Sequence, residues 1–239
     1  MISSHPACCT PFDTTWPFPW ELPGAVLRSC RFDPALLAAD DFPRSAILAP
    51  ANIQRSVAKR QAEFLAGRLC ARAALQVLTG RFEAPTLGED RAPVWPVGVS
   101  GSISHSHGLA IALVADSSQW RGLGLDLEEP LACDRALRLA EEILTPAEVE
   151  RLQGLTPEQQ AQRITLTFSI KESLFKALYP LVGKRFYFHD AELLACDAAG
   201  RAQLRLLIDL SEEWKAGSEL EGWHCQFQGR LLSLVAVAA

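Results

Sequence analysis

Two stretches of the chain pair carboxylates with cations at spacings that could handle a phosphate. The first is Gly122-Leu-Gly-Leu-Asp126-Leu-Glu128. Side chains alternate faces along a strand, so Asp126 and Glu128 point one way while Leu123, Leu125 and Leu127 point the other. Adjacent carboxylates repel unless a cation or a proton lies between them. Hard oxygen donors at a strand end suit magnesium, which takes one or two carboxylates together with substrate phosphate and water. The same alternation also describes a solvated strand end. The glycines are not a dinucleotide fingerprint, because G-x-G-x-x-G is absent. The second stretch is Thr167-Phe168-Ser169-Ile170-Lys171-Glu172-Ser173-Leu174-Phe175-Lys176. On a helix, Phe168, Glu172 and Lys176 share one face, roughly opposite Leu166, Ile170 and Leu174. Glu172 is then a third metal ligand or a general base, with Lys171 and Lys176 neutralising phosphate. An ordinary exposed Glu–Lys pair would have the same spacing.

Two further stretches supply groups that bind anions. In Ser102-Ile-Ser104-His105-Ser106-His107, a hydroxyl and an imidazole can donate to a phosphate oxygen. The H-x-H pair lacks a third zinc ligand at the usual spacing, and a satisfied histidine in a loop accounts for it equally. In the run from Arg60 to Arg72, Arg60, Phe64, Arg68 and Arg72 recur at i+4 steps. Guanidinium forks suit phosphate, although arginines also form the wet face of many helices. Gly67 sits in mid-helix at a cost of up to about 1 kcal/mol against alanine, which points to close approach of a neighbour.

These residues need elements to hold them. The proline- and aromatic-rich residues 1–24 predict an irregular arm. A helix is expected from about Asn52 to Leu78, with Leu65, Leu69, Ala73 and Val77 as its buried stripe and Gly80 as its stop. The loop signals Pro85, Gly88, Pro93, Pro96 and Gly98 lead into the Ser102–His107 segment, read as a loop. Strands follow at Leu109–Ala115 and Gly122–Glu128, then helices at Ala136–Leu144 and Pro146–Leu152, the latter opened by Thr145-Pro146 with Glu148 in a capping box. Leu166, Ile170, Leu174 and Leu178 mark a helix expected to stop at Pro180. Short strands at Ala191–Ala195, Leu204–Leu210, Trp223–Gln228 and Leu231–Ala236 complete the chain. Helix and strands thus recur in each half, which implies an α+β fold of two lobes, drawn as residues 1–118 and 119–239.

Composition bounds the function. At 239 residues, 49% hydrophobic and 21% charged, the chain buries a real core. Its net charge of −5 argues against a general nucleic-acid binder. Seven scattered cysteines, none in a C-x-x-C pair, read as reduced thiols. With no signal peptide and no apolar run long enough to span a bilayer, the expected location is the cytoplasm, away from membranes.

In order and separation, the four stretches resemble the 4′-phosphopantetheinyl transferases of the Sfp/EntD type. That family's G-(I/V)-D-x-E motif corresponds to Gly124–Glu128, and its (F/W)-(S/C)-x-K-E-(S/A)-x-x-K motif to Phe168–Lys176. Its S-(I/L)-(S/T)-H motif corresponds to Ser102–His105, and its E-F-x-x-x-R-x-x-A-R block to Glu63–Arg72. The last block and Ala92-Pro93-Val94-Trp95-Pro96 look most like the siderophore-synthase branch.

The resemblance implies two pseudo-symmetric α+β lobes with coenzyme A between them, and Asp126, Glu128 and Glu172 as magnesium ligands. It implies that His105, with Ser104 beside it, contacts the CoA phosphates. Lys171 and Lys176 would lie near the pyrophosphate, and Arg60 and Arg68 would hold the adenosine 3′-phosphate end. Where some relatives carry a lysine before the Pro-x-Trp-Pro segment, this chain has Arg91. Nothing matched assigns a role to His107 or Arg72. The implied reaction moves 4′-phosphopantetheine from CoA to a serine of an apo acyl or peptidyl carrier protein, in fatty-acid or siderophore biosynthesis. Magnesium would serve as cofactor, Glu172 (or Asp126) as base, and Lys171 as a catalytic cation. A monomer is expected, docking acidic carriers near Pro130–Leu144. A metal-dependent phosphodiesterase or nuclease and a non-catalytic CoA binder are the alternatives.

Overall fold

The computed structural model describes residues 5–89 and 92–239, so Arg91 lies outside the described residues. The chain divides into two compact units. The first takes the described residues of Met1–Trp16 and Trp20–Arg121 together with Ala239, and the second takes Pro17–Pro19 and Gly122–Ala238. Both mix helix and sheet.

In the first unit, strand β1 (Val26–Arg31) is followed by the single-turn helices α1 (Asp41–Arg44) and α2 (Ala51–Gln54) and by the long helix α3 (Ala58–Thr79). Two-residue strands β2 (Thr86–Leu87) and β3 (Pro93–Val94) precede β4 (Val99–Ser106) and β5 (Leu109–Asp116). The last two pair antiparallel, and with β1 they form a sheet of order β1-β5-β4. Residues Leu109–Ala115 of β5 are completely buried, as a near-continuous apolar run in a central strand should be.

The expected helix over 52–78 is broken at Arg55–Val57. There the Gln61 side-chain amide donates to the carbonyls of Gln54 and Ser56, so side chains take over bonds the helix would have made. The buried stripe also drifts. Leu65 and Leu69 are buried, but Val77 is 58% exposed, and Ala74 and Leu75 take its place. Each i+4 step overshoots a full turn by about 40° at 3.6 residues per turn, so three steps carry a side chain about 120° round the helix. Gly80, at φ 74°, ends the helix as expected.

The Ser102–Ser106 segment lies in β4, not in a loop. The hairpin turn that follows is His107-Gly108, both with positive φ (40° and 78°), the backbone a two-residue hairpin requires. His107 is therefore a turn residue.

The second unit contains β6 (Trp120–Glu128, whose first two residues belong to the first unit), α4 (Cys133–Ile143), α5 (Pro146–Glu150) and α6 (Pro157–Val182). A 3₁₀ turn at Phe188–Asp190 leads to β7 (Ala191–Cys196), β8 (Arg201–Leu206), β9 (Glu219–Phe227) and β10 (Arg230–Ala238). These strands form one sheet of order β6-β10-β9-β8-β7. Ile170, Leu174, Ala177 and Leu178 of α6 share a buried cluster with Leu204, Leu206, Val235 and their neighbours.

Pro180 does not stop α6. The helix runs on to Val182 and ends at Gly183, whose N–H bonds the Tyr179 carbonyl. A proline in the last turn forfeits one ladder bond, which costs far less there than in mid-helix. The second of the late strands, β8, is also displaced from its expected place over Leu204–Leu210, and occupies Arg201–Leu206. All seven cysteines are free thiols. Among the described residues no helix is long and apolar enough to cross a membrane.

Candidate active site

Two glycines let α6 lie directly on β6. A Cβ at Gly124 would stand 1.7 Å from the Ser173 carbonyl oxygen, and one at Gly122 would stand 2.6 Å from that of Ala177. Only hydrogen fits at these points. The helix turn carrying Glu172 is thereby pressed against the strand carrying Asp126 and Glu128.

The three carboxylates feel one another. Burial, then the charge of Asp126, and further on that of Glu172, push the Glu128 carboxyl up to about 7, against the pull of Lys176 and Arg135. Burial, with Asp126 adding to it, raises Glu172 as well. Asp126 is 3% exposed, so this is no solvated strand end. Its Oδ1 accepts from Lys176 Nζ at 2.7 Å and its Oδ2 from Ser169 Oγ at 2.9 Å. Lys176 also donates to the Leu125 carbonyl at 3.1 Å. The lysine of the expected Glu172–Lys176 pair thus reaches across to the strand.

Behind Asp126 the hydroxyls of Ser169, Ser233 and Ser173 form a buried chain, with Oγ–Oγ distances of 2.7 and 2.8 Å. Sequence reasoning named Ser169 only as a motif letter. Its function as the carboxylate's donor depends on β10, far away in sequence.

Three carboxylates, set against the Lys176 ammonium and the pull of Arg135 on Glu128, leave an excess of negative charge in a partly buried place. Oxygen-only donors in that state fit a hard divalent cation. Among the described residues no three acidic, histidine or cysteine side chains stand together in a way that could hold a metal ion as they are placed. The Lys176 ammonium holds Asp126 Oδ1, the position such a cation would compete for.

Lys171 is placed differently from its expected position near a phosphate. Its side chain is 2% exposed, and its ammonium donates to Glu148 Oε2 (2.6 Å), the Phe188 carbonyl (2.8 Å) and the Ile143 carbonyl (3.0 Å). All three protons are used. Burial lowers its pKa, and Glu148 opposes that shift. The structure therefore brings Glu172 and Lys176 to the carboxylate cluster and leaves Lys171 out of it. Beside Glu172 opens a cavity of about 190 Å³ walled by Phe175, Arg185, Phe186, Tyr187 and Phe188, with Lys171 also in its lining.

In the first unit, alternation along β4 buries Ser100, Ser102, Ser104 and Ser106 on one face and turns His105 to the other. Ser104 is 5% exposed and does not stand beside His105, because neighbours in a strand face opposite ways. His105 instead meets α3: Arg60 Nη1 lies 3.0 Å from its Nε2. A guanidinium can only donate, so Nε2 accepts and the ring proton sits on Nδ1, facing Glu63 Oε2 at 3.8 Å. Gly67 permits this approach, since a Cβ there would stand 2.8 Å from Ile103 Cγ2.

Arg68 is 6% exposed and lies over the Phe64 ring at 4.7 Å. Its Nη2 has a long bond (3.5 Å) to the Thr86 carbonyl, and its buried Nε has no partner among the described residues. Burial, and after it Arg60, lowers its pKa to about 10. A buried guanidinium with no carboxylate partner among the described residues is costly. Arg72 is occupied structurally, donating to the Ser45 carbonyl and covering Phe82 at 4.3 Å.

The second unit thus carries a buried carboxylate cluster, and the first a buried arginine. Comparison with known proteins gives the class. Residues 49–115 match the 4′-phosphopantetheinyl transferase N-terminal domain, and residues 122–228 match the 4′-phosphopantetheinyl transferase superfamily. The chain belongs to the 4′-phosphopantetheinyl transferase family and is a transferase.

It is 39% identical over 229 residues to 4′-phosphopantetheinyl transferase Svp of Streptomyces mobaraensis, covering 92% of this chain and 87% of that one. It is 40% identical over 158 residues to enterobactin synthase component D of Escherichia coli K12, covering 64% and 71%. With 4′-phosphopantetheinyl transferase PptT of Mycobacterium tuberculosis it shares 35% identity over 175 residues, covering 71% and 72%.

Proposed function

We propose that the protein transfers the 4′-phosphopantetheine group of coenzyme A to a serine of apo acyl and peptidyl carrier proteins, with magnesium as cofactor. The observation that carries this reading is the surplus of negative charge where Asp126, Glu128 and Glu172 meet. These three residues would hold the cation, which when bound supplies charge neutralisation on the pyrophosphate. The serine oxygen attacks the phosphorus that bears the pantetheine arm, and the bond from that phosphorus to the bridging oxygen breaks. 3′,5′-ADP leaves, and the serine proton passes to a carboxylate.

Glu172 suits that last role: it lines the cavity that would take the pantetheine arm, and burial raises its pKa above the ordinary carboxylate range. Asp126 is less suited, with both oxygens already accepting from Lys176 and Ser169. Lys176 is the cation of this unit that can turn from Asp126 to a phosphate oxygen. Arg68, with Arg60 and His105, would take the 3′-phosphate end and the phosphates, and the largely aromatic cavity beside Glu172 would take the pantetheine arm. Carrier docking is placed on α4, where Leu137 is 46% exposed between Arg135 and Arg138. We place the enzyme in the cytoplasm as a monomer, serving siderophore and fatty-acid carriers.

The test is direct. Protein, CoA, magnesium and a panel of apo carriers are incubated and analysed by mass spectrometry. A mass gain equal to the phosphopantetheine arm, abolished by EDTA, is the expected result. No gain on any carrier would overturn the reading.

A further inference from the structure

Glu148 has no part in the reading above, yet both of its buried oxygens are engaged. Its Oε2 accepts from Lys171 Nζ (2.6 Å) and from the Thr145 N–H (2.7 Å), and its Oε1 accepts from the Leu193 N–H (2.6 Å). Lys171 adds the carbonyls of Ile143 and Phe188. Two side chains, 5% and 2% exposed, thus join the end of α4, the start of α5, the middle of α6, the 188–190 turn and β7. Lys171 directly precedes Glu172. Phe188, whose carbonyl it holds, is a wall of the cavity beside Glu172.

A lysine acting on phosphate must free at least one donor. Here each donor serves a buried acceptor, and withdrawing it would leave a carboxylate or carbonyl unsatisfied in the interior.

We propose that Glu148 is a positioning residue of the transferase: through Lys171 it fixes the 188–190 turn against the helix turn bearing Glu172, and Lys171 belongs to this clamp instead of contacting phosphate. The inference rests on the proposed transfer reaction, and wild-type turnover is its control.

The experiment compares Glu148→Gln, Lys171→Met and the double variant, with steady-state transfer measured against CoA well below each protein's Tm and CoA binding measured by calorimetry. Each single variant is expected to lower kcat on the order of 10–100-fold, as the loss of an orienting partner typically does. The KM and Kd for CoA should stay within about twofold, and the double variant should be no worse than the poorer single one.

A Lys171→Met protein with KM and Kd for CoA raised tenfold or more, beside a normal Glu148→Gln protein, would make Lys171 a phosphate contact and overturn the clamp. A lowered Tm with unchanged kcat in both would make the pair merely structural, which also overturns it. If Lys171→Met does not fold, Glu148→Gln alone decides on the same readouts. An inactive wild-type protein sinks the transfer reading itself, which no outcome among the variants does.

Discussion

Each unit lays its long helix against a strand through a glycine, but the glycines sit on opposite partners. In the first unit the glycine belongs to the helix: Gly67 makes room for the Ile103 side chain. In the second it belongs to the strand: Gly122 and Gly124 make room for the helix backbone at Ala177 and Ser173. A side-chain methyl can give way by a small shift, whereas a hydrogen-bonded helix backbone cannot. The chemistry diverges in parallel. Near the looser contact lie His105, Arg60 and Arg68, and at the tighter one lie the three carboxylates. Closely spaced like charges need the more rigid support, because repulsion would otherwise spread them.

The largest effect should come from breaking the tighter contact. Gly124→Ala puts a methyl where the Ser173 carbonyl stands, so α6 must lift from β6. Transfer activity should fall below detection, and thermal unfolding should show a lowered or lost transition. Gly67→Ala gains about 1 kcal/mol of helix propensity against an overpacking cost of about 1–3 kcal/mol. It should therefore destabilise by about 2 kcal/mol at most, and adding Ile103→Ala should relieve the overpacking. Equal damage from both glycine substitutions would remove the distinction between the units.

The next effect separates the two charge clusters. Glu172→Gln should cut kcat by about 10²–10⁴-fold with an unchanged circular dichroism spectrum. Arg68→Gln should leave kcat near wild type and weaken CoA binding about tenfold or more, a loss of roughly 1.4 kcal/mol for each factor of ten. It should also erase any preference for CoA over its 3′-dephospho form, measured by calorimetry. A preference that survives the substitution would remove Arg68 from the 3′-phosphate end.

Much of this site was legible in the sequence, for reasons that can be traced residue by residue. The period of two put Asp126 and Glu128 on one face, and that argument needs no tertiary knowledge. The same rule, applied to Ser104 and His105, would have separated them had the segment been taken as a strand; its serines and histidines looked like a loop. Lys171 and Lys176 flank Glu172 and are chemically identical, so nothing local says that one reaches Asp126 and the other a buried glutamate. Glu148 was visible only as the third residue of a capping box, a local bond it does make. Its bonds to Lys171 and Leu193 join residues 23 and 45 positions away, beyond any local pattern. Periodicity shows which face of an element is apolar, but not which polar side chain that face will enclose.

The smallest effect concerns Glu128 and sharpens the electrostatic half of the comparison. Its carboxyl is raised in the folded protein to about 7, so the folded state binds that proton more tightly than the unfolded chain. The associated stability is fully present below the ordinary carboxylate range and is lost as pH rises through about 7. In EDTA, the Tm of the wild-type protein should therefore fall by a few degrees more than that of Glu128→Gln between pH 5 and pH 8, values spanning the range about this group. Magnesium at the upper pH should restore the wild-type Tm and do less for the variant, because a bound cation replaces the proton that the carboxylate has lost. The arginine cluster offers an internal contrast: Arg68, lowered only to about 10, stays charged throughout that interval. Arg68→Gln should thus shift the whole Tm curve without changing its slope. A slope that follows Arg68 instead of Glu128 would mean that the carboxylates are not the strained charges of this molecule.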